Sequence, residues 1–236
     1  MSGQDIRRGV FVTGTDTGIG KTRVSASLLT ALAQRGVKCV GMKPVASGAA
    51  LSGQGLRNED ALVLQAAASL KRDYSLVNPY CFAPPVAPHL AALEAGVEIE
   101  LETLRHAYRE LCQGADAVVV EGVGGWQVPL SATLELPDLA RDFALPVLLV
   151  VGMRLGCLNH ALLTARAIRA DGLALMGWVA NAIDPHMERP EANLATLEAE
   201  LGAPLLGRLE YSKHTEPKTT AAALAAASEA LMPAAQ

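Results

Sequence analysis

Short, continuous runs of apolar residues alternate along this chain with stretches of helical periodicity. The runs lie at residues 9–13, 38–43, 117–121, 146–152, 175–181 and 205–209. Because they are continuous and not alternately polar, they are typical of strands buried on both faces, as in a parallel sheet. Helices are expected at residues 21–35, 59–70, 101–112, 158–170 and 190–201. The pattern predicts an α/β fold: a doubly wound, mostly parallel sheet with right-handed crossovers and helices on both faces.

The size of the chain fits one globular domain. Its 236 residues are 50% apolar and 19% charged, which excludes an intrinsically disordered chain. No repeat or linker divides it, so we expect a single domain over residues 1–236. Residues 1–8 and 230–236 are expected to fray, and the alanine-rich tail at 221–236 is expected to dock as a terminal helix.

Charge and cysteine content argue against several classes of protein. A net charge of −4 disfavours nucleic acid and anionic membranes as partners. The apolar runs are much shorter than the ~20 residues of a membrane span, and residues 1–9 lack the apolar core of a signal peptide. The four cysteines are scattered and no histidine lies at zinc-ligand spacing from them. We therefore expect a cytoplasmic protein with reduced thiols.

A glycine-rich segment joins the first predicted strand to the first predicted helix. It reads Gly-Thr-Asp-Thr-Gly-Ile-Gly-Lys-Thr from Gly14 to Thr22. Five residues separate Gly14 from Gly20, whereas about four separate the two glycines of the usual phosphate loop. Its glycines let backbone N–H groups form an anion-binding nest at the positive end of the helix dipole. Lys21 can reach phosphate oxygens, and the Thr22 hydroxyl can ligate Mg²⁺. We interpret the segment as the phosphate loop of a P-loop NTPase-like fold.

Three further charged residues lie where the predicted elements end or begin. Glu121 and Lys43 end two strands, and the carboxyl ends of parallel strands meet at one edge of the sheet. Asp60, in the first turn of a predicted helix, is either a second metal-binding carboxylate or an ordinary capping residue. Two loops, the Gly- and Ser-rich residues 47–58 and the proline-rich residues 78–89, are candidate pocket walls. The second loop is expected to be neither helix nor central strand.

Eight motifs, in order from about residue 9 to 207, together resemble the dethiobiotin synthetase family. They are Gly-Thr-Asp-Thr-x-x-Gly-Lys-Thr at 14–22, Lys-Pro-Val-Ala-Ser-Gly at 43–48, Leu-Arg-Asn-x-Asp-Ala-Leu at 56–62, Val-Asn-Pro-Tyr at 77–80, Val-Glu-Gly-x-Gly-Gly-Trp at 120–126, Leu-Gly-Cys-x-Asn-His-Ala at 155–161, Gly-Trp-Val-Ala-Asn at 177–181 and Ala-Pro-Leu-Leu-Gly at 203–207. The resemblance implies closure of a cyclic urea from 7,8-diaminopelargonate, CO₂ and ATP with Mg²⁺. One amine forms a carbamate, whose oxygen attacks the γ-phosphate to give a carbamic–phosphoric anhydride. The second amine then displaces phosphate.

The resemblance also implies a role for each matching residue. Lys43 would steady the carbamate and the transferring phosphoryl group, with Lys21, Thr17 and Ser47 as the other catalytic or substrate contacts. The metal shell would be Thr22, Asp60 and Glu121. The nucleotide contacts would be Gly18, Ile19, Gly20, Lys21, Thr22, Arg23, Asp60, Glu121, Gly122, Val123, Gly124, Asn181, Glu210 and Tyr211, with Asn181 reading the adenine.

A helix start after residue 155 is the last expected site. The resemblance implies that Gly156, Cys157, Leu158 and Asn159 receive the substrate carboxylate of the neighbouring subunit on free backbone N–H groups. The protein would then be a homodimer with its active sites at the interface. Simple N-capping near Asn159 is the alternative interpretation.

Two other functions remain open from the residues. A partner-binding switch ATPase of the partition and septum-site type has a related fold, but carries a lysine where this chain has Asp16, and often a basic tail helix. A small-molecule kinase would need an acceptor hydroxyl and a base, which no motif here specifies. The chain departs from some synthetases at Leu209-Glu210-Tyr211, which stands where they have Ile-Pro-Trp on the adenine side, and at Gly18, where many have Glu.

Overall fold

The computed structural model describes residues 8–212 and 217–232. Its strands, in chain order, are β1 (Arg8–Gly14), β2 (Cys39–Met42), β3 (Val45–Ala46), β4 (Ala50–Ser52), β5 (Gly55–Arg57), β6 (Tyr80–Cys81), β7 (Ala117–Glu121), β8 (Val147–Met153), β9 (Leu175–Ala182) and β10 (Leu205–Leu209). Its helices are α1 (Lys21–Gln34), α2 (Glu59–Ala67), α3 (Tyr74–Val77), α4 (Pro88–Glu94), α5 (Leu101–Leu111), α6 (Leu136–Asp142), α7 (Cys157–Ala170), α8 (Pro190–Glu200), α9 (Pro217–Thr220), a 3₁₀ helix (Ala221–Leu224) and α10 (Ala225–Leu231).

A six-stranded sheet in the order β10-β9-β8-β1-β7-β2 forms the centre of the fold. Every neighbouring pair in it is parallel, from β1 with β7 and β8 out to β10 with β9. All seven residues of β8 are buried, as are all five of β7. The predicted parallel sheet is confirmed, because strands covered on both faces need the continuous apolar runs seen in the sequence.

Helices cover both faces of this sheet, as predicted. Successive side chains of a strand point to opposite faces. Val10 and Val12 therefore pack in one cluster with apolar residues of α1 and α10, and Phe11 packs in another with residues of α4, α5 and α6. Leu149 and Val151 of β8 pack with α7 and α8. Each central strand is therefore packed against helices on both of its faces. This packing holds the carboxyl ends of the strands in a fixed arrangement at one edge of the sheet.

The strands predicted at 117–121 and 205–209 match β7 and β10 at both ends, whereas the other predicted elements differ from the structure at one end or both. The clearest case is α2, which ends at Ala67 and not at residue 70. Ala68 is extended at φ −66° and ψ 142°, and the hydroxyl of Ser69 accepts the N–H of Cys39 at 2.7 Å. A contact with β2, which sequence spacing does not reveal, thus stops the helix.

The two loops hold more regular structure than predicted. Residues 47–58 contain the antiparallel hairpin of β4 and β5. The expectation that residues 78–89 contain no helix is wrong at their end, because α4 begins at Pro88. Proline is tolerated there, since the first helical N–H has no partner within the helix. The short β6 pairs with β3 outside the central sheet.

The end of the chain packs against the first helix. Arg35 donates from Nη1 to the backbone oxygen of Ser228 at 2.6 Å and to its Oγ at 2.7 Å. The expected terminal helix is present as the 3₁₀ helix followed by α10. Of the termini expected to fray, residues 1–7 and 233–236 lie outside the described part of the chain, whereas Arg8 begins β1 and Leu231 ends α10. None of the helices described has the length and apolar character needed to span a bilayer.

Candidate active site

A crevice of about 760 Å³ opens at the carboxyl ends of β1, β2 and β7. Its walls come from the phosphate loop, the turn after β2, the start of α2, the glycines after β7 and the proline-rich residues 85–88. Both loops named in the sequence therefore line it. Ligands of open α/β sheets bind at this edge, so the topology brings the motifs of distant segments to one place.

The phosphate loop wraps around the start of α1. Gly18 and Gly20 have φ angles of 74° and 87°, in the left-handed region that favours glycine. A Cβ at Gly20 would also collide with the side-chain amide of Asn181. Lys21 donates from Nζ to the backbone oxygens of Asp16 at 2.9 Å and Gly124 at 2.5 Å. The Lys21 ammonium is thus held between the phosphate loop and the glycine-rich turn after β7.

Lys43 lies between two carboxylates. Its Nζ is 2.6 Å from Oε1 of Glu121 and 3.3 Å from Oδ2 of Asp60, and it donates to the backbone oxygen of Gly122 at 2.9 Å. Lys43 is 3% exposed and Glu121 is fully buried. Burial lowers the pKa of Lys43, but Glu121 and Asp60 raise it more, so its pKa lies above the ordinary value. The side chain is a buried ammonium.

Thr22, Asp60 and Glu121 form a compact group of oxygen atoms beside this ammonium. The Thr22 hydroxyl donates to Oε1 of Glu121 at 2.9 Å. Burial raises the pKa of Asp60, but the positive charge of Lys43 and the nearby Thr22 hydroxyl lower it below its ordinary value. Oε2 of Glu121 is buried without a hydrogen-bond partner. An unpartnered buried carboxylate oxygen next to a hydroxyl and a second carboxylate fits a Mg²⁺ ion or one of its waters.

The remaining predicted contacts near the loop also lie in this region. Thr17, Gly18, Gly20, Ser47, Val123 and Gly124 line the crevice. Ile19 is buried, so it offers its backbone and not its side chain. The sequence-based selection missed Ala46, Asn58, Gly125 and Val128, which also line the crevice. Asn58 had a local signal, because it precedes Glu-Asp at the start of α2 and accepts the N–H of Ala61 at 3.2 Å as an N-cap.

None of the residues expected on the adenine side (Arg23, Asn181, Glu210 and Tyr211) lines the crevice around Lys43. Asn181 is 2% exposed, and both ends of its amide are engaged. Oδ1 accepts from Nη1 of Arg23 at 2.8 Å, and Nδ2 donates to the backbone oxygen of Ile19 at 2.7 Å. Glu210 and Tyr211 follow β10 and are exposed, with Glu210 paired to Arg208 at 3.0 Å. Asn181 therefore also fastens the end of β9 to the phosphate loop.

The predicted carboxylate site stands apart from the crevice within one chain. α7 begins at Cys157, after Gly156 at φ 93°. Gly156 and Asn159 are exposed, Leu158 is half-buried and Cys157 is buried. None of the four lines the crevice around Lys43. Leu155, at the same turn, is 95% exposed.

Comparison with known proteins gives close relatives over most of the chain. It is 58% identical over 201 residues to the ATP-dependent dethiobiotin synthetase BioD of Xanthomonas euvesicatoria pv. vesicatoria (strain 85-10), covering 85% of this chain and 90% of that protein. It is 57% identical over 215 residues to the protein of the same name from Pseudomonas aeruginosa (strain LESB58), covering 91% and 94%. The relative from Xylella fastidiosa (strain 9a5c) is 56% identical over 216 residues, covering 92% and 94%.

Solved structures and a family match agree with this fold. The MinC:MinD cell division protein complex of Aquifex aeolicus superposes with a TM-score of 0.62 at 17% identity, covering 97% of both chains. The septum site-determining protein MinD complexed with Mg-ADP from Pyrococcus horikoshii OT3 gives 0.57 at 18%, again covering 97% of both chains. At such identities the likeness shows the fold alone. A family described as an AAA domain matches residues 8–219. With the close relatives above, it follows that the chain belongs to the ATP-dependent dethiobiotin synthetase family.

Proposed function

We propose that this chain closes the ureido ring of dethiobiotin from 7,8-diaminopelargonate, CO₂ and ATP, releasing ADP and phosphate. One observation carries the proposal: the buried ammonium of Lys43 lies between Asp60 and Glu121 in the same crevice as the phosphate loop. Negative charge accumulates on a carbamate that attacks a phosphoryl group. A fixed, water-excluded cation at that place stabilises this charge without reorganisation.

The phosphate loop and its lysine would bind the nucleotide. Lys21 and the N–H groups at the start of α1 offer donors to the β- and γ-phosphates. Thr17 also lines the crevice, and its hydroxyl would contact the transferring group or the carbamate. Lys21 is already held at the mouth of the loop by Asp16 and Gly124. Little side-chain entropy would then be lost on binding.

Thr22, Asp60 and Glu121 would hold Mg²⁺. Their oxygen atoms suit this hard cation, which keeps most of its remaining ligands as water and phosphate oxygens. When bound, Mg²⁺ neutralises charge on the phosphates. The protein's part is to fix the oxygens: the Thr22 hydroxyl is tied to Glu121 at 2.9 Å, and Glu121 is immobilised by burial.

Lys43 and Ser47 would hold the carbamate on the other side of the phosphoryl group. Both line the crevice, and Lys43 is anchored at three points. Residues 85–88 and Val128 add apolar wall, which suits the alkyl chain of the diamine and excludes water from the anhydride. Arg23, Asn181, Glu210 and Tyr211 would form the base side, with Gly122, Val123 and Gly124 near the phosphates.

We further propose a homodimer that shares its sites. The N–H of Cys157 donates to the backbone oxygen of Arg154 at 3.0 Å, so the N–H groups of Leu158 and Asn159, in the first turn of α7, would meet the carboxylate of a substrate bound in the partner's crevice. Gly156, Cys157, Leu158 and Asn159 do not reach the crevice of their own chain, as this arrangement requires. The whole chain would act as one cytoplasmic domain without nucleic-acid or membrane partners.

Phosphate release from MgATP, measured with and without the diamine and with and without bicarbonate, tests the proposal. Release that requires both compounds supports it. Release that requires neither would overturn it in favour of a switch ATPase. Transfer of phosphate to a stable phosphorylated product would indicate a small-molecule kinase.

A further inference from the structure

Asn78 is a buried residue of the Val-Asn-Pro-Tyr motif that the proposed chemistry leaves without a role. It is 3% exposed and does not line the crevice. Its Nδ2 donates to the backbone oxygen of Lys43 at 2.7 Å and to that of Tyr80 at 3.0 Å. The N–H of Lys43 donates to the backbone oxygen of Val77 at 2.8 Å. Both backbone groups of Lys43 are therefore held by residues 77–78, at the point where β2 has ended.

Tyr74 connects Asn78 to the start of α2. Its hydroxyl donates to Oδ1 of Asn78 at 2.9 Å and accepts the N–H of Asn58 at 2.8 Å. The guanidinium of Arg57 lies 4.2 Å from the centre of its ring and fixes the ring plane. Burial raises the pKa of Tyr74 to about 12, so the phenol keeps the proton that it donates to Asn78.

Asn58 closes the chain of contacts back to Lys43. It caps α2, whose second residue is Asp60, and Asp60 lies 3.3 Å from Nζ of Lys43. Together with the short backbone segment from Asn58 to Asp60, these contacts form a ring that runs from Lys43 through Asn78, Tyr74, Asn58 and Asp60 to Lys43 again. The ring holds the lysine at its backbone and at its ammonium. Such a closed network limits the freedom of each member more than separate contacts would.

We propose that Asn78 is a positioning residue for Lys43, acting with Tyr74 and Asn58 to fix the ammonium between Asp60 and Glu121. The inference rests on the proposed function, because it gives Lys43 its task in ring closure. Asn78 itself does not touch the reacting groups. Displacement of a reacting group by about 1 Å can reduce turnover about 100-fold, so a residue that fixes Lys43 from outside the crevice would set the rate.

Two variants and one control test this role. Asn78→Ala removes the amide, and Tyr74→Phe removes only the hydroxyl and keeps the ring under Arg57. Ser228→Ala is the matched control, since it removes a buried hydroxyl that accepts from Arg35 on the far side of α1. The readouts are kcat, KM for ATP and the ¹⁵N resonance of the Lys43 ammonium, assigned by its loss in Lys43→Arg. This resonance is recorded without substrate.

The expected result is a fall in kcat of about 10- to 100-fold for Asn78→Ala and a smaller fall for Tyr74→Phe. KM for ATP changes less than kcat, because the phosphate loop lies outside the ring and only Asp60 of the proposed Mg²⁺ ligands belongs to it. The Lys43 resonance shifts or broadens. Ser228→Ala leaves all three readouts at wild-type values. If Asn78→Ala does not fold, Tyr74→Phe decides alone.

Either of two results would overturn the inference: folded variants with wild-type kcat, or a lower kcat with an unchanged Lys43 resonance. The second would assign Asn78 to general stability and not to Lys43. Failure of the proposed function is separate, since it would appear as phosphate release by the wild-type protein that requires neither the diamine nor bicarbonate, whatever the Lys43 resonance does.

Discussion

Nζ of Lys43 lies 2.6 Å from Oε1 of Glu121, and both side chains are buried at the carboxyl ends of neighbouring strands. A buried ion pair is weak support for a role in stability, because removal of both charges from water costs free energy that their attraction only partly offsets. Oε2 of Glu121 is also buried without a hydrogen-bond partner, so this carboxylate can still accept a hydrogen bond or bind a cation. A charged cluster that is costly to bury and incompletely paired is typical of a functional site.

Replacement of Lys43 should slow the reaction without loss of the fold. Lys43→Ala removes the fixed cation, and we expect turnover to fall about 100-fold or more. Initial rates of phosphate release with all substrates measure this, and Lys38→Ala, which removes an exposed lysine just before β2, serves as the control. Equal rates for Lys43→Ala and wild type would refute the catalytic assignment.

Nucleotide binding should take up protons near pH 8. Burial, followed by the charge of Lys43, lowers the pKa of Lys21 to about 8, against opposing effects of Glu121, Asp60 and Asp16. About half of the Lys21 side chains are then neutral at pH 8. Bound phosphate favours the ammonium and raises its pKa, so the sign is uptake, of about half a proton at pH 8 and much less at pH 6.5.

Calorimetry of ATP binding in buffers of different ionisation enthalpy measures this uptake. Lys21→Ala should abolish it and weaken ATP binding about 10- to 100-fold, as expected for one charged hydrogen bond of about 1.5–3 kcal/mol. Proton release at pH 8, or the same uptake in Lys21→Ala, would contradict the prediction.

Turnover should depend on Mg²⁺ and on the oxygen atoms proposed to bind it. A chelator should abolish turnover, and Glu121→Gln should raise the Mg²⁺ concentration needed for half-maximal rate by about 10-fold or more, since it removes one of two proposed carboxylates. Titration of the rate with Mg²⁺ tests this, with Glu198→Gln on the exposed face of α8 as the control. An unchanged Mg²⁺ requirement in Glu121→Gln would remove it from the metal shell.

A shared site should allow two inactive variants to restore each other. Lys43→Ala damages the crevice, and Asn159→Asp places a negative charge where the partner's substrate carboxylate would bind. A mixed dimer then has one site with both defects and one intact site, so random mixing should recover about a quarter of wild-type activity. Each variant mixed with itself is the control. No recovery from dimers that are shown to exchange subunits would place α7 outside the site.

The parts of the site that the sequence predicts are those with a local cause. A glycine at position 20 was predictable, because the phosphate loop needs a positive φ angle there. The position of Glu121 was predictable too, because it ends a run of valines that forms a buried strand. The sequence also predicted that Lys43 and Glu121 meet at one edge of the sheet, but it did not predict which individual side chains of distant segments form hydrogen bonds with each other. Asn181 bonds to Arg23, 158 positions away, and Asn78 bonds to Lys43, 35 positions away. Periodicity and motif spacing describe single segments, and only the packed sheet determines which side chains meet.

Product analysis with ¹³C-bicarbonate tests the central claim most directly. The protein would be supplied with 7,8-diaminopelargonate, MgATP and labelled bicarbonate, and the products followed by mass spectrometry and phosphate assay. Our account predicts a product of the mass of dethiobiotin that carries one ¹³C atom and is formed in equal amount with free phosphate. In Lys43→Ala the same product should form more slowly, by about 100-fold or more. Phosphate release without a labelled ring product, or labelled product at the wild-type rate in Lys43→Ala, would contradict it.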